Sequence, residues 1–250
     1  MKLLLDFGNS RCKWALFHQD QLSHNNAAAY SGDNAEMQLA ALMLKLPLSE
    51  ITSIHVVSVL GEKFNALIAK ALAAYDHYFY QSEASAHGIQ LAYAEAGAYG
   101  NDRYLALLAA HHNYKGNKLI VDCGTAITID GITAAGEHVG GLIMPSYASM
   151  VLALNKDTQS LPAVEIDEEV QLFCATTSSA MISGSLLCLQ QGLSAVIQQM
   201  KLHLDDDCVL IATGGNRVQM LSALSGSYSD APNLVLEGLA YLVEERSELA

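Results

Sequence analysis

The sequence predicts an α/β protein built from two duplicated domains, each a mixed sheet flanked by helices. Three observations lead there. The stretches "KLLLDFGNSRCKWALF" (Lys2 to Phe17) and "KLIVDCGTAITIDGI" (Lys118 to Ile132) repeat one pattern: a lysine, three apolar residues, Asp, any residue, Gly, a polar residue and a second apolar run. Their aspartates, Asp6 and Asp122, stand 116 positions apart, about the length of a small domain. Elsewhere, strand-like runs alternate with helical segments, which is the α/β signature.

In each copy the run after the glycine, "CKWALF" or "AITIDGI", is again strand-like, so the motif forms a tight turn between two strands. That hairpin makes the sheets mixed, and it differs from the strand-to-helix step of a Rossmann or P-loop site. Ile51 to Leu60 then reads as a strand and Glu62 to Tyr75 as an amphipathic helix. Asn101 to Tyr114 is a helix that Asn101 or Asp102 is placed to cap. After the second copy, "GGLIMPSYASMVLALN" gives a strand, a turn at Pro145 and a helix, and Thr176 to Met200 a long helix rich in small residues. "CVLIATGGNRVQMLSAL" gives strand, Gly-Gly turn and helix, and "NLVLEGLAYLVEE" closes the chain. The acidic segment Gln159 to Thr177, with Pro162, reads as a surface excursion. The domains are expected at 1–115 and 116–250, with a compact boundary near Asn113 to Asn117.

Composition narrows the function. The 250 residues are 51% hydrophobic, and no uninterrupted apolar run reaches the roughly 18 residues of a membrane span. Asp6 interrupts the N-terminal apolar triplet before a signal-peptide core forms. The five cysteines are scattered without a C-x-x-C pair, against a disulfide framework or structural zinc site, so a cytoplasmic protein is expected. A net charge of −13 disfavours nucleic acid and anionic membranes as partners. A small anionic substrate fits if a few cations, such as Lys13 and Arg103, are focused locally.

A glycine just after a strand lets phosphate approach the backbone, whose turn amides form an anion cradle. A carboxylate beside that cradle needs a cation between. Asp6 and Asp122 are therefore read as ligands, direct or through water, of Mg²⁺ or another hard cation accompanying a nucleotide polyphosphate, with Lys13 neutralising phosphate charge. The competing reading is an ordinary Asp-x-Gly turn. Two copies with matched flanks, followed by Asn9–Ser10 and by Thr125, favour phosphate.

The pattern resembles the actin-like (ribonuclease H-like) ATPase superfamily, which includes sugar kinases, where two related domains present phosphate hairpins to ATP in the cleft between them. More specifically, "DFGNSRCKW" (Asp6 to Trp14), "GNDR" (Gly100 to Arg103), "DCGTAITID" (Asp122 to Asp130), "GGLIMP" (Gly140 to Pro145) and "TSSAMISG" (Thr177 to Gly184) follow the order and spacing of type III pantothenate kinases over nearly the whole chain. The resemblance implies ATP-dependent phosphorylation of pantothenate, the first step of coenzyme A synthesis. It implies that Asp6, Phe7, Gly8, Asn9, Ser10, Arg11, Cys12 and Lys13 hold ATP with Mg²⁺, and that Thr125 adds a hydroxyl contact. It further implies that Asp122 binds K⁺ or NH₄⁺, that Tyr93, Gly100, Asn101, Asp102, Arg103 and Thr177 line the pantothenate pocket, that Asp102 is the catalytic base, and that the enzyme is a homodimer.

Each residue also has a structural reading: Asp102 and Thr177 as helix caps, Arg103 as a surface ion pair, Tyr93 as a packing residue. Cys12, Cys123 and Trp14 are read as packing residues, and His111–His112, being adjacent, cannot chelate as an i, i+4 pair. Ser146 and Thr176 depart from the family pattern, which commonly has Gly and Asn there. Gly214–Gly215 resembles the superfamily's adenosine turn. The rivals are another small-molecule kinase on this fold and a non-catalytic, nucleotide-dependent regulatory protein.

Overall fold

The computed structural model describes residues 1–30, 32, 34–157, 170–204 and 207–248. Most of the acidic excursion lies outside the described residues. Among the described residues, twelve strands and seven α-helices follow in chain order: β1 (Lys2–Phe7), β2 (Arg11–His18), β3 (Gln21–Ala29), α1 (Ala35–Met43), β4 (Ser53–Ser58), α2 (Gly61–Ala71), β5 (His77–Tyr80), β6 (Ser85–Ala86), β7 (Ile89–Gln90), α3 (Asn101–Asn113), β8 (Lys118–Cys123), β9 (Ala126–Ile132), β10 (His138–Pro145), α4 (Tyr147–Asp157), α5 (Thr177–Leu204), β11 (Val209–Thr213), α6 (Arg217–Met220), β12 (Ser229–Asp230) and α7 (Leu234–Glu248).

The duplication is visible in the topology. One sheet runs β3-β2-β1-β4-β5 and the other β10-β9-β8-β11-β12. In both, the first three strands form antiparallel pairs and the last two join in parallel. Strand β8 thus corresponds to β1, β9 to β2 and β11 to β4.

In the first unit, Leu3, Leu5, Phe7, Cys12, Trp14, Ile54 and Val56 face a core shared with Leu39 and Leu42 of α1 and Ile68 of α2. On the other face α3 and α7 cover β1 and β4. In the second unit, Leu119, Val121, Cys123, Ile127, Ile129, Leu210 and Ala212 pack on a stripe of α5, Ile182, Leu186, Leu189, Leu193 and Ile197, at helical spacing. Averaged over 18 residues, α5 has a mean hydropathy of 1.5 and is long and apolar enough to cross a membrane by length and composition, which a count of uninterrupted apolar residues does not show. Its apolar stripe is core surface.

The units are residues 1–113 with 135–137 and 233–250, and residues 114–134 with 138–232. A single cut at 115 assigns α7 to the second unit; the structure clusters it with the first. The cause is helix packing: a Cβ at Gly238 would overlap the Leu105 carbonyl of α3, so a bare backbone at this position lets the two helices meet closely.

Candidate active site

The first Asp-x-Gly turn is tightly held. Gly8 N–H donates to the Arg11 carbonyl (3.1 Å), Val59 N–H to the Phe7 carbonyl (3.1 Å) and the Tyr30 hydroxyl to the Gly8 carbonyl (2.8 Å). Burial is the main reason the Tyr30 hydroxyl is pushed well above the usual phenol range, with Cys12 and Asp6 adding to it, so it stays a donor. Asp6 is buried and lies opposite Lys13 on β2 and Val57 on β4. Asn9, Ser10 and Arg11 are exposed at the tip, whereas Phe7 and Cys12 turn into the core. Only the backbone groups of those two face the turn.

The second turn repeats the geometry with other neighbours. Gly124 N–H donates to the Ala126 carbonyl (3.1 Å), leaving Thr125 exposed at the tip. Asp122 lies opposite Thr128 on β9 and Thr213 on β11. A Cβ on Gly124 would sit 3.2 Å from Asp122 Oδ1, and one on Gly214, at φ +86°, 2.5 Å from it. Two bare backbone turns therefore close around this carboxylate. Burial, reinforced by the charge of Asp122, pushes the neighbouring Cys123 thiol up to about 12, which keeps it an inert packing residue.

The start of α3 gathers most of the expected acceptor residues. Asn101 does not cap the helix by its side chain: its Oδ1 accepts from Ser82 N–H (2.9 Å) and its Nδ2 donates to the Ser58 carbonyl (3.0 Å). It thereby ties the helix start to the end of β4 and the segment after β5. Asp102 Oδ1 accepts from Arg103 N–H (2.8 Å). A Cβ on Gly100 would stand 2.8 Å from that oxygen, so the glycine leaves the carboxylate its space. Arg103 is 9% exposed, so it is a buried residue and not a surface one. Its guanidinium carbon lies 4.5 Å from the ring centre of Tyr99 and 5.9 Å from that of Tyr93, and the two rings are 4.9 Å apart. Cation–π attraction holds such a group in place.

Thr177 is the first residue of α5 and is exposed. The cap there is Thr176, whose Oγ1 accepts from Ser179 N–H (3.2 Å); Ser146 likewise accepts from Ser149 N–H (3.3 Å) at the start of α4. Both departures from the family pattern are thus helix caps. Sequence reasoning missed Tyr99, Ser82, Tyr30 and Thr213. Tyr99 stands just before "GNDR" and carried a signal there, while the others become neighbours only through strand pairing.

Among the described residues, no group of three or more His, Cys, Asp or Glu assembles to hold a metal. Single carboxylates in glycine turns suit an ion that arrives with ATP phosphates, or a singly charged one.

The model of the type III pantothenate kinase family matches residues 2–200. The chain belongs to this family. Type III pantothenate kinases from Nitrosococcus oceani (30% identical, covering 100% of this chain and 96% of that protein) and Xanthomonas oryzae pv. oryzae (33% identical, 95% of each) resemble it over their whole length. Among solved structures, the ADPNP-bound activator of 2-hydroxyisocaproyl-CoA dehydratase from Clostridium difficile is similar (TM-score 0.55, 9% identity, 99% of this chain and 96% of that one). So is a ROK family protein from Streptococcus pneumoniae (TM-score 0.52, 15% identity, 99% of each). The fold is that of the actin-like ATPases and sugar kinases. This type III pantothenate kinase is accordingly a phosphotransferase: it phosphorylates pantothenate with ATP, for coenzyme A biosynthesis, and its use of ATP implies a divalent metal.

Proposed function

We propose that Asp102 is the catalytic base of this kinase and Arg103 the clamp for the pantothenate carboxylate. One observation carries the reading: the first turn of α3 presents Asp102, with its oxygen fixed by Arg103 N–H, beside a guanidinium held against two tyrosine rings. A carboxylate suffices as the base, because phosphoryl transfer passes through a loose transition state in which the hydroxyl proton leaves late. The acceptor hydroxyl oxygen bonds to the γ-phosphorus, the bond from that phosphorus to the bridging oxygen of ADP breaks, and the hydroxyl proton passes to Asp102. Arg103 pairs with the acceptor carboxylate through its planar fork, with Tyr93 and Asn101 as further pantothenate contacts, and Thr177 is assigned a pantothenate contact from its own unit. Asp6 to Lys13 and Thr125 hold the ATP phosphates. Asp6 would hold the Mg²⁺ that travels with ATP and neutralises phosphate charge, and Asp122 would hold K⁺ or NH₄⁺. The enzyme works as a cytoplasmic homodimer.

The test is substrate discrimination. Wild type should prefer pantothenate over the analogue with an alcohol in place of the carboxylate by at least tenfold in kcat/KM. Arg103→Met should abolish that preference by raising KM for pantothenate alone. Equal loss on both acceptors would remove Arg103 from carboxylate recognition.

A further inference from the structure

The second phosphate turn differs from the first in a way that its proposed cation explains. Where the first copy places Lys13 opposite Asp6, the second places Thr128 opposite Asp122; where the first has Val57, the second has Thr213. A lysine and a valine beside the first carboxylate have become two hydroxyls beside the second. Neighbouring strands lie about 4.8 Å apart, and residues in register share a face, so Thr128, Asp122 and Thr213 form one row of oxygen-bearing side chains.

Thr213 is 1% exposed, and its Oγ1 has no hydrogen-bond partner among the described residues. A buried hydroxyl left without a partner is costly, and valine at the matching position of the first copy shows that this sheet position accepts an apolar side chain. The hydroxyl therefore calls for an occupant. The peptide that follows is fixed as well: Arg217 Nη1 donates to the Gly214 carbonyl (3.0 Å), and Gly214 leaves open the space against Asp122 Oδ1.

Resting on the reading of Asp122 as a monovalent-cation ligand, we infer that the Thr213 hydroxyl is a second oxygen ligand of that same ion. One carboxylate balances one positive charge, and neutral oxygens complete the shell. A divalent ion would draw further carboxylates, and the row supplies hydroxyls instead.

The test reads binding, not turnover: thermal unfolding of the full chain against K⁺, at ionic strength held constant with choline chloride. An ion bound only by the folded state raises Tm in a concentration-dependent way. Wild type should show a saturable rise with K⁺ that Asp122→Asn abolishes. Thr213→Val should keep or raise the Tm without K⁺ and need at least tenfold more K⁺ for half the rise, while Thr213→Ser should stay near wild type. Thr213→Ala gives the same readout should the valine methyl not fit. A wild-type midpoint in Thr213→Val and Thr213→Ala, with the rise still lost in Asp122→Asn, overturns the inference and leaves the Asp122 reading standing. No rise in wild type overturns both.

Discussion

Asp102→Asn isolates the chemistry from the fold. The carboxylate oxygen that accepts from Arg103 N–H (2.8 Å) has a direct counterpart in the asparagine Oδ1, so the local hydrogen bond and the side-chain volume persist. Stability should change by about 0.5 kcal/mol, as is usual for a near-isosteric substitution outside the core. What is lost is the proton acceptor. A positioned base contributes about 10²- to 10⁴-fold, which corresponds to about 3–5 kcal/mol in the barrier. The assay is coupled ADP release with saturating ATP and pantothenate, beside a melting curve and an ATP titration. Turnover should fall by that factor with Tm and ATP affinity unchanged. Gly100→Ala is the graded companion: its Cβ would stand 2.8 Å from the same oxygen, so the carboxylate must shift and turnover should drop about tenfold or more. Near-normal turnover in Asp102→Asn would remove Asp102 as the proton acceptor, whatever Gly100→Ala does.

Three further outcomes follow from the packing and the caps. Gly238→Ala gains about 1 kcal/mol of helix propensity but drives a Cβ into the Leu105 carbonyl, so chemical denaturation should show a net loss of about 1–3 kcal/mol; a gain would mean that α3 and α7 are free to part. Thr176→Ala should cost about 1 kcal/mol of stability through its lost cap with little effect on KM, whereas Thr177→Ala should raise KM for pantothenate with little effect on Tm; the reverse pattern would exchange the roles of the two hydroxyls. His55, pressed to about 4 by burial first and by Lys2 and Arg246 after it, is held neutral between Ser53 and Tyr80. Its pKa is lower folded than unfolded, so its contribution is full above pH ~6.5 and is lost as pH falls toward 4, on the order of 3 kcal/mol at most. Denaturation at pH 7 and pH 5 should show a steeper loss for wild type than for His55→Gln, and equal losses would remove His55 as the cause.

Much of the architecture was legible because its signals are local. In both copies the Asp-x-Gly turn between two apolar runs forms a hairpin, and its recurrence announced the duplication. Strand β3 carried no such signal: Gln21–Ala29 is exposed along nearly its whole length and shows no alternation of apolar and polar residues. The two-residue β12 exists through its parallel pairing with β11. The return of α7 to the first unit depends on its fit against α3, which the sequence marks only by one glycine in a helix. The same holds at the site. The side chains of "GNDR" were legible as a group, but Asn101 was read as a cap because its partners, Ser82 and Ser58, lie far away in sequence. Arg103 was weighed as a surface residue because the tyrosines it stacks on, Tyr93 and Tyr99, precede the helix, where helical periodicity does not reach. Thr213 reaches Asp122 only through the β8–β11 register.

The most direct test of the account is ADP release by the purified protein with ATP, Mg²⁺ and K⁺, comparing pantothenate with a panel of sugars and a control without acceptor. Release should depend on pantothenate, with 4′-phosphopantothenate formed in equal amount. Release with a sugar alone, or none with any acceptor, would contradict it.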